Sequence, residues 1–269
     1  MSQVVARTFD IDFIYLDLIL VSIWIILLLV RRRYKEILFG LFGFGVVYFT
    51  DAVMWYTLKE TRHIEIENDV IGPYLFLAYF SFTYGLIMFS FAPLMFNKTI
   101  HYLEKLLWAV LLYGGWLTIA LISQHIGWNN TELVIWRDMT DSRLGQILMA
   151  VIGYLVLLIW KIVSEFTEVF PFNLMKTVKW WYFGILITVG IFIHFSMEST
   201  LWIANIRPSD WVVLVTNSLL EFNTGIPILF AMWITLNQKD YKAKIAPKEE
   251  EIQVDLELVN PEPIKNIQE

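Results

Sequence analysis

The sequence predicts an all-α, polytopic membrane protein with seven transmembrane helices, and three observations carry that prediction. Of its 269 residues, 57% are hydrophobic and only 17% charged, more apolar side chain than a soluble domain can hide behind its own surface. The apolar residues gather into seven stretches, each near the ~20 residues that cross ~30 Å of hydrocarbon as a helix. Lysine and arginine collect in alternate connections, the asymmetry expected of cytoplasmic loops.

The first span runs from Ile11 to Val30 and is followed by Arg31, Arg32, Arg33 and Lys35, a strong cytoplasmic anchor. No small-residue cleavage site follows it, so it is expected to stay as a helix. The second, Ile37 to Thr57, leads into the acid-rich segment from Lys59 to Asp69, expected outside. The third, Val70 to Phe96, carries Pro73 near its start, where proline suits the first turn of a helix. The fourth covers Leu106 to Ser123, the fifth Leu144 to Ile162, the sixth Trp181 to Trp202 and the seventh Trp211 to Leu236. Simple alternation puts Lys98, Lys105, Lys161, Lys176, Lys179, Lys239, Lys242 and Lys244 on the side of the first arginine cluster. The N-terminus is therefore expected outside and the C-terminus inside. Residues 1–240 form the transmembrane domain; residues 241–269, with Glu249, Glu250 and Glu251, read as an acidic, disordered tail.

What the chain lacks narrows its chemistry. With no cysteine there is no disulfide, thiolate nucleophile or Cys-bound metal. A net charge of -6 offers no footprint for nucleic acid. The seventh span holds no lysine for a retinal Schiff base, and metalloprotease, Walker and dinucleotide motifs do not occur. Neither cofactor nor metal is required by the residues present, and the expected partner is a hydrophobic lipid.

Against this apolar background Asp17, Asp51, Glu198 and Glu221, with His194, interrupt membrane-spanning stretches. A charge in hydrocarbon is costly and marks a functional site by default. Counting at ~1.5 Å per residue from the outer end of each span puts all five in the outer half of the bilayer, which favours one shared cavity. Asp17, with Asp12, lies close to a helix start and reads as interfacial. Asp51 and Glu221 form the strong pair, with Glu198 and His194 behind them. Residues three and four apart share a helix face, so Tyr48, Asp51 and Trp55 form one stripe, His194, Glu198 and Trp202 a second, and Asn217, Glu221 and Gly225 a third. Asp51 or Glu221 would donate a proton, the other acting as base; Tyr48, Trp55, Tyr84 and Trp202 would line the cavity, while His194 and Asn217 orient the acids. Aromatic faces beside an acid suit a cationic intermediate. Gly40, Gly43, Gly45, Gly114 and Gly115 read as close helix-packing points.

The segment Asp51-Ala52-Val53-Met54-Trp55 is similar to Glu198-Ser199-Thr200-Leu201-Trp202, and Pro93 and Pro227 hold related places in the third and seventh spans. The seven spans thus suggest a 3+1+3 division into parallel repeats.

Tyr48 through Tyr56 resembles the acid-bearing second span of the membrane-bound terpene cyclases of fungal meroterpenoid pathways, and Glu221 through Trp233 resembles their last span. Gly190 through Glu198 is similar to the Gly-x-Phe-Ile-His-x-x-x-Glu helix of the emopamil-binding sterol isomerase superfamily, with its helix order permuted. Both resemblances imply an intramembrane acid that protonates an alkene or epoxide of an isoprenoid or sterol, leading to cyclisation or isomerisation. Two other classes fit the residues: a proton- or cation-coupled transporter, and a seven-helix lipid-binding or sensor protein without turnover.

Overall fold

The computed structural model describes residues 6–138 and 142–239. Its elements run β1 (Arg7–Asp10), α1 (Ile11–Val30), α2 (Tyr34–Tyr48) with a π-helical continuation (Phe49–Leu58), β2 (Arg62–Ile66) and α3 (Pro73–Phe96). They continue with α4 (Tyr102–Ile126), β3 (Glu132–Arg137), α5 (Ser142–Phe166), α6 (Tyr182–Ile203), α7 (Trp211–Leu220) and α8 (Ile226–Leu236). Seven helical segments, α2 counted with its continuation and α7 with α8, are long and apolar enough to cross a membrane. The acidic segment expected over 241–269 lies outside the described residues.

The all-α expectation needs correction. The strands form an antiparallel sheet in the order β1-β3-β2, built from the N-terminal segment and from the connections after the second and fourth spans, so all three reach one face of the bundle. In β3, Leu133, Ile135 and Arg137 are buried while Glu132 is exposed, the period-two pattern of a strand covering a core. The Thr8 N–H also donates to the carbonyl of Ile206 at 2.9 Å, tying the connection after α6 to the sheet. These segments span only four to six residues and stand among charges, which is why they read as loop.

Helix α3 runs through the centre, against α1, α2, α4, α6 and α8. It is apolar on every side, as a surrounded helix must be. Two of its buried hydroxyls find partners close by: Thr83 donates to the Phe80 carbonyl at 3.3 Å, and Ser90 donates to the Ile87 carbonyl at 3.1 Å and accepts from Trp24 Nε1 at 2.8 Å. The third span begins at Pro73, not Val70, because Gly72 is extended and residues Glu67–Asp69 form a separate single turn.

Helices α2 and α3 pack backbone to backbone at Gly43 and Gly85. A Cβ on Gly43 would run into the Phe89 side chain and stand 2.5 Å from the Gly85 carbonyl oxygen. Gly40 is similarly close to Leu86, and Gly115 to Leu20, whereas Gly45 and Gly114 have nothing within 4 Å and are not packing points. This contact fixes α2 against α3, from which the polar residues of both rise toward the sheet.

Two local departures from α-helix place acids. After Tyr48 the second span widens into π-helix, with the Lys59 N–H reaching the Met54 carbonyl at 3.0 Å and Thr57 Oγ1 reaching the Ala52 carbonyl at 2.7 Å; such segments commonly mark functional positions. The last span breaks after Glu221, where Phe222–Thr224 form a 3₁₀ turn and Pro227 enters α8. Proline lacks the N–H that would continue the ladder and its ring excludes the carbonyl four residues back, so the chain kinks at this acid.

Candidate functional site

A pocket of about 440 Å³ lies beneath the sheet, within the ~300–1,000 Å³ range of ligand sites. At its sheet end stand Arg7, Arg62 and Arg137, with Arg207 from the connection after α6. The other end is apolar, walled by Phe42, Val46, Met88 and Phe89 and by Ile228 and Leu229 of α8. Phe42, Val46, Met149 and Ile228 line it and are also exposed, so the pocket opens sideways on the flank of the bundle between α2, α5 and α8.

Six of the nine site residues expected from sequence line this pocket: Asp51, Trp55, Tyr84, His194, Asn217 and Glu221. Glu198 sits just behind the lining, 2% exposed. There it accepts from Arg7 at 3.2 Å, from Asn217 Nδ2 at 3.2 Å and from Arg207. His194 Nε2 lies between two carboxylates, 3.2 Å from Glu221 Oε2 and 3.4 Å from Glu198 Oε1. It is aligned for a hydrogen bond with neither.

Tyr48 and Trp202 are corrections. Tyr48 packs on Phe44 outside the lining, because the π-helical turn that begins after it shifts Asp51 and Trp55 off the stripe that α-helical spacing predicts. Trp202 meets Trp211 edge-on at 4.5 Å, away from the pocket. Asp17 is wholly buried and accepts from the Tyr79 hydroxyl at 2.9 Å. Its neighbour Asp12 takes the backbone N–H groups of Trp128 and Asn129 at 2.7 and 3.0 Å, fastening the connection between α4 and β3.

Sequence reasoning missed the arginines. Arg62 donates to Asp51 at 2.6 Å, while Arg137 donates to Glu221 at 3.1 Å. Arg143 reaches Glu221 at 3.4 Å and also bonds Asn217. The Arg137 guanidinium lies 3.7 Å from the centroid of the Trp55 ring and that of Arg62 lies 5.5 Å from it. Burial, above all, pulls Arg137 down from the ordinary guanidinium range to about 10 and Arg207 to about 9; both stay cationic near neutral pH. The available signal was the alternation in β3, which puts Arg137 on the same side as Leu133 and Ile135.

Comparison with known protein families, curated proteins and solved structures finds no match to this chain. Among the described residues no three His, Asp or Glu side chains are arranged to hold a metal ion. Glu198 and Glu221 are engaged by guanidinium groups, and Asp51 by Arg62.

Proposed function

We propose that the pocket binds one amphiphilic lipid and that His194 moves a proton on it, making the chain an intramembrane acid–base enzyme. The observation that carries this reading is His194 at the wall of a pocket whose one end is apolar and whose other end is polar, its Nε2 placed between Glu198 and Glu221. Imidazole can take up and return a proton, and the two carboxylates beside Nε2 would stabilise the imidazolium formed in that step. The assignment of Asp51 or Glu221 as proton donor gives way here to counter-ion roles, since both accept from guanidinium groups. A carbocation stabilised on Trp55 is disfavoured, because Arg137 already stands over that ring. Among lipids, isoprenoid and sterol substrates remain the class suggested by the resemblances.

The basic residues after α1 favour placing the sheet face outside and the opposite face in the cytoplasm. The likeness of Asp51 through Trp55 to Glu198 through Trp202 favours a 3+1+3 arrangement of parallel repeats.

The test uses purified protein in nanodiscs, incubated with membrane lipid extract in D₂O and read by mass spectrometry. A lipid product carrying carbon-bound deuterium is expected, and His194→Gln should abolish it. Lipid retained by the wild type without product or deuterium would overturn turnover. That result would leave a seven-helix lipid-binding protein, a reading favoured by the guanidinium groups that already hold Glu198.

A further inference from the structure

A lipid seated in this pocket puts its polar end among guanidinium groups. We propose that this end is an anionic oxygen head, a carboxylate or a phosphate, held by Arg7, Arg62 and Arg207 beneath the sheet; the inference rests on the lipid-pocket reading above.

Charge supplies the first argument. Arg7, Arg62 and Arg207 converge on one end of the pocket; among the described residues the carboxylates beside them are Asp51 and Glu221 in the lining and Glu198 just behind it. Asp17 does not line the pocket, and Asp12 is committed to backbone N–H groups. An anion entering the pocket would meet these three guanidinium groups where water screens little.

Hydrogen-bonding capacity supplies the second. Arg62 and Arg207 line the pocket, and each has a buried Nε–H that no acceptor takes among the described residues. A guanidinium carries five donors in a planar fork that fits carboxylate and phosphate oxygens two at a time, so these side chains can keep Asp51 and Glu198 and still serve a ligand. An alcohol or ketone head could accept from one of them but, being neutral, forms the weaker bond.

Shape supplies the third. The arginines stand at the sheet end of the pocket, whereas its apolar walls run to the flank of the bundle. A molecule satisfying both has an anionic head and a hydrocarbon chain that leaves sideways into the membrane.

The test measures binding of oleate, oleyl phosphate, oleyl alcohol and inorganic phosphate to the detergent-solubilised full chain by thermophoresis. Oleate or oleyl phosphate, or both, should bind about tenfold or more tighter than oleyl alcohol, the scale of one charge-assisted hydrogen bond. The stronger of the two identifies the head. Arg7→Gln leaves Glu198 held by Arg207 and Asn217 and should weaken the anionic amphiphiles several-fold more than the alcohol. Should it not fold, Arg207→Lys, which keeps the charge and loses the fork, should also narrow the preference. Equal or tighter binding of the alcohol would overturn the anionic head while leaving the lipid pocket intact. Inorganic phosphate binding as tightly as oleyl phosphate would overturn the role of the chain, and absence of binding by all three amphiphiles would overturn the lipid pocket itself.

Discussion

Arg62 and Arg137 lie directly opposite one another across the β2–β3 ladder. Like charges in that position repel, and here both are largely buried, with side chains 11% and 8% exposed. The pair is tolerated because each is balanced from below: Arg62 by Asp51, Arg137 by Glu221, and both by the face of Trp55. The sheet is thus fastened to the bundle by charge, and the acids that interrupt the spans serve that fastening as well as the pocket.

The Asp51–Arg62 pair should show strong coupling. Arg62→Gln alone strands a buried carboxylate, a change that costs about 3–5 kcal/mol, whereas Asp51→Asn together with Arg62→Gln removes both charges and should recover much of that loss. A double-mutant cycle on unfolding midpoints checks it; additive losses would mean that the 2.6 Å contact carries no net coupling.

Trp55 should matter through its ring face. Trp55→Leu removes the surface beneath Arg137 and should cost about 0.5–2 kcal/mol from the lost cation–π contact alone, plus the packing of the indole. Trp55→Phe keeps a weaker π-face and should fall between. Thermal unfolding of the three proteins in one detergent gives the order; equal midpoints for the Phe and Leu variants would argue against the ring's electrostatic role.

Glycine substitutions separate packing from propensity. Gly43→Ala would drive a Cβ to 2.5 Å from the Gly85 carbonyl oxygen, a backbone atom that cannot swing away, and should cost at least the ~1–3 kcal/mol of an overpacked core. Gly45→Ala meets open space and should be neutral, or stabilising by up to ~1 kcal/mol from helix propensity. A Gly43→Ala protein as stable as Gly45→Ala would contradict the close approach of α2 and α3.

Much of the architecture is legible in the sequence, for a physical reason. Twenty apolar residues in a row admit few conformations other than a spanning helix, so the seven segments stand out. Buried acids are conspicuous because they are costly, and Asp51, His194, Glu198 and Glu221 do gather. The arginines are inconspicuous because each stands near a span end or in a connection, where a positive charge ordinarily meets water. Only the sheet, closing over the bundle, turns those positions inward, and strands of four to six residues leave too short a pattern to announce themselves. Helical spacing misplaces Tyr48 and Trp202 for different causes: the helix widens after Tyr48, and Trp202 finds Trp211 as its neighbour.

Glu198 should prove the carboxylate most needed for the fold. It is 2% exposed and takes Arg7 from β1, Arg207 from the connection after α6 and Asn217 from α7, with His194 one helical turn below. Among the described residues Asp51 has one guanidinium partner, and Glu221, with side chain 20% exposed, can replace lost contacts with water. Glu198→Gln keeps the shape but withdraws the charge from buried Arg207 and largely buried Arg7 at once, and leaving buried charge uncompensated costs several kcal/mol. The expected order of destabilisation is Glu198→Gln, then Asp51→Asn, then Glu221→Gln. Because Arg7 ties β1 to α6 through this residue, Glu198→Gln should also speed proteolysis near the N-terminal strand. A Glu198→Gln protein that melts with Glu221→Gln and keeps wild-type protease resistance there would show that the bundle, not this carboxylate, holds the sheet in place.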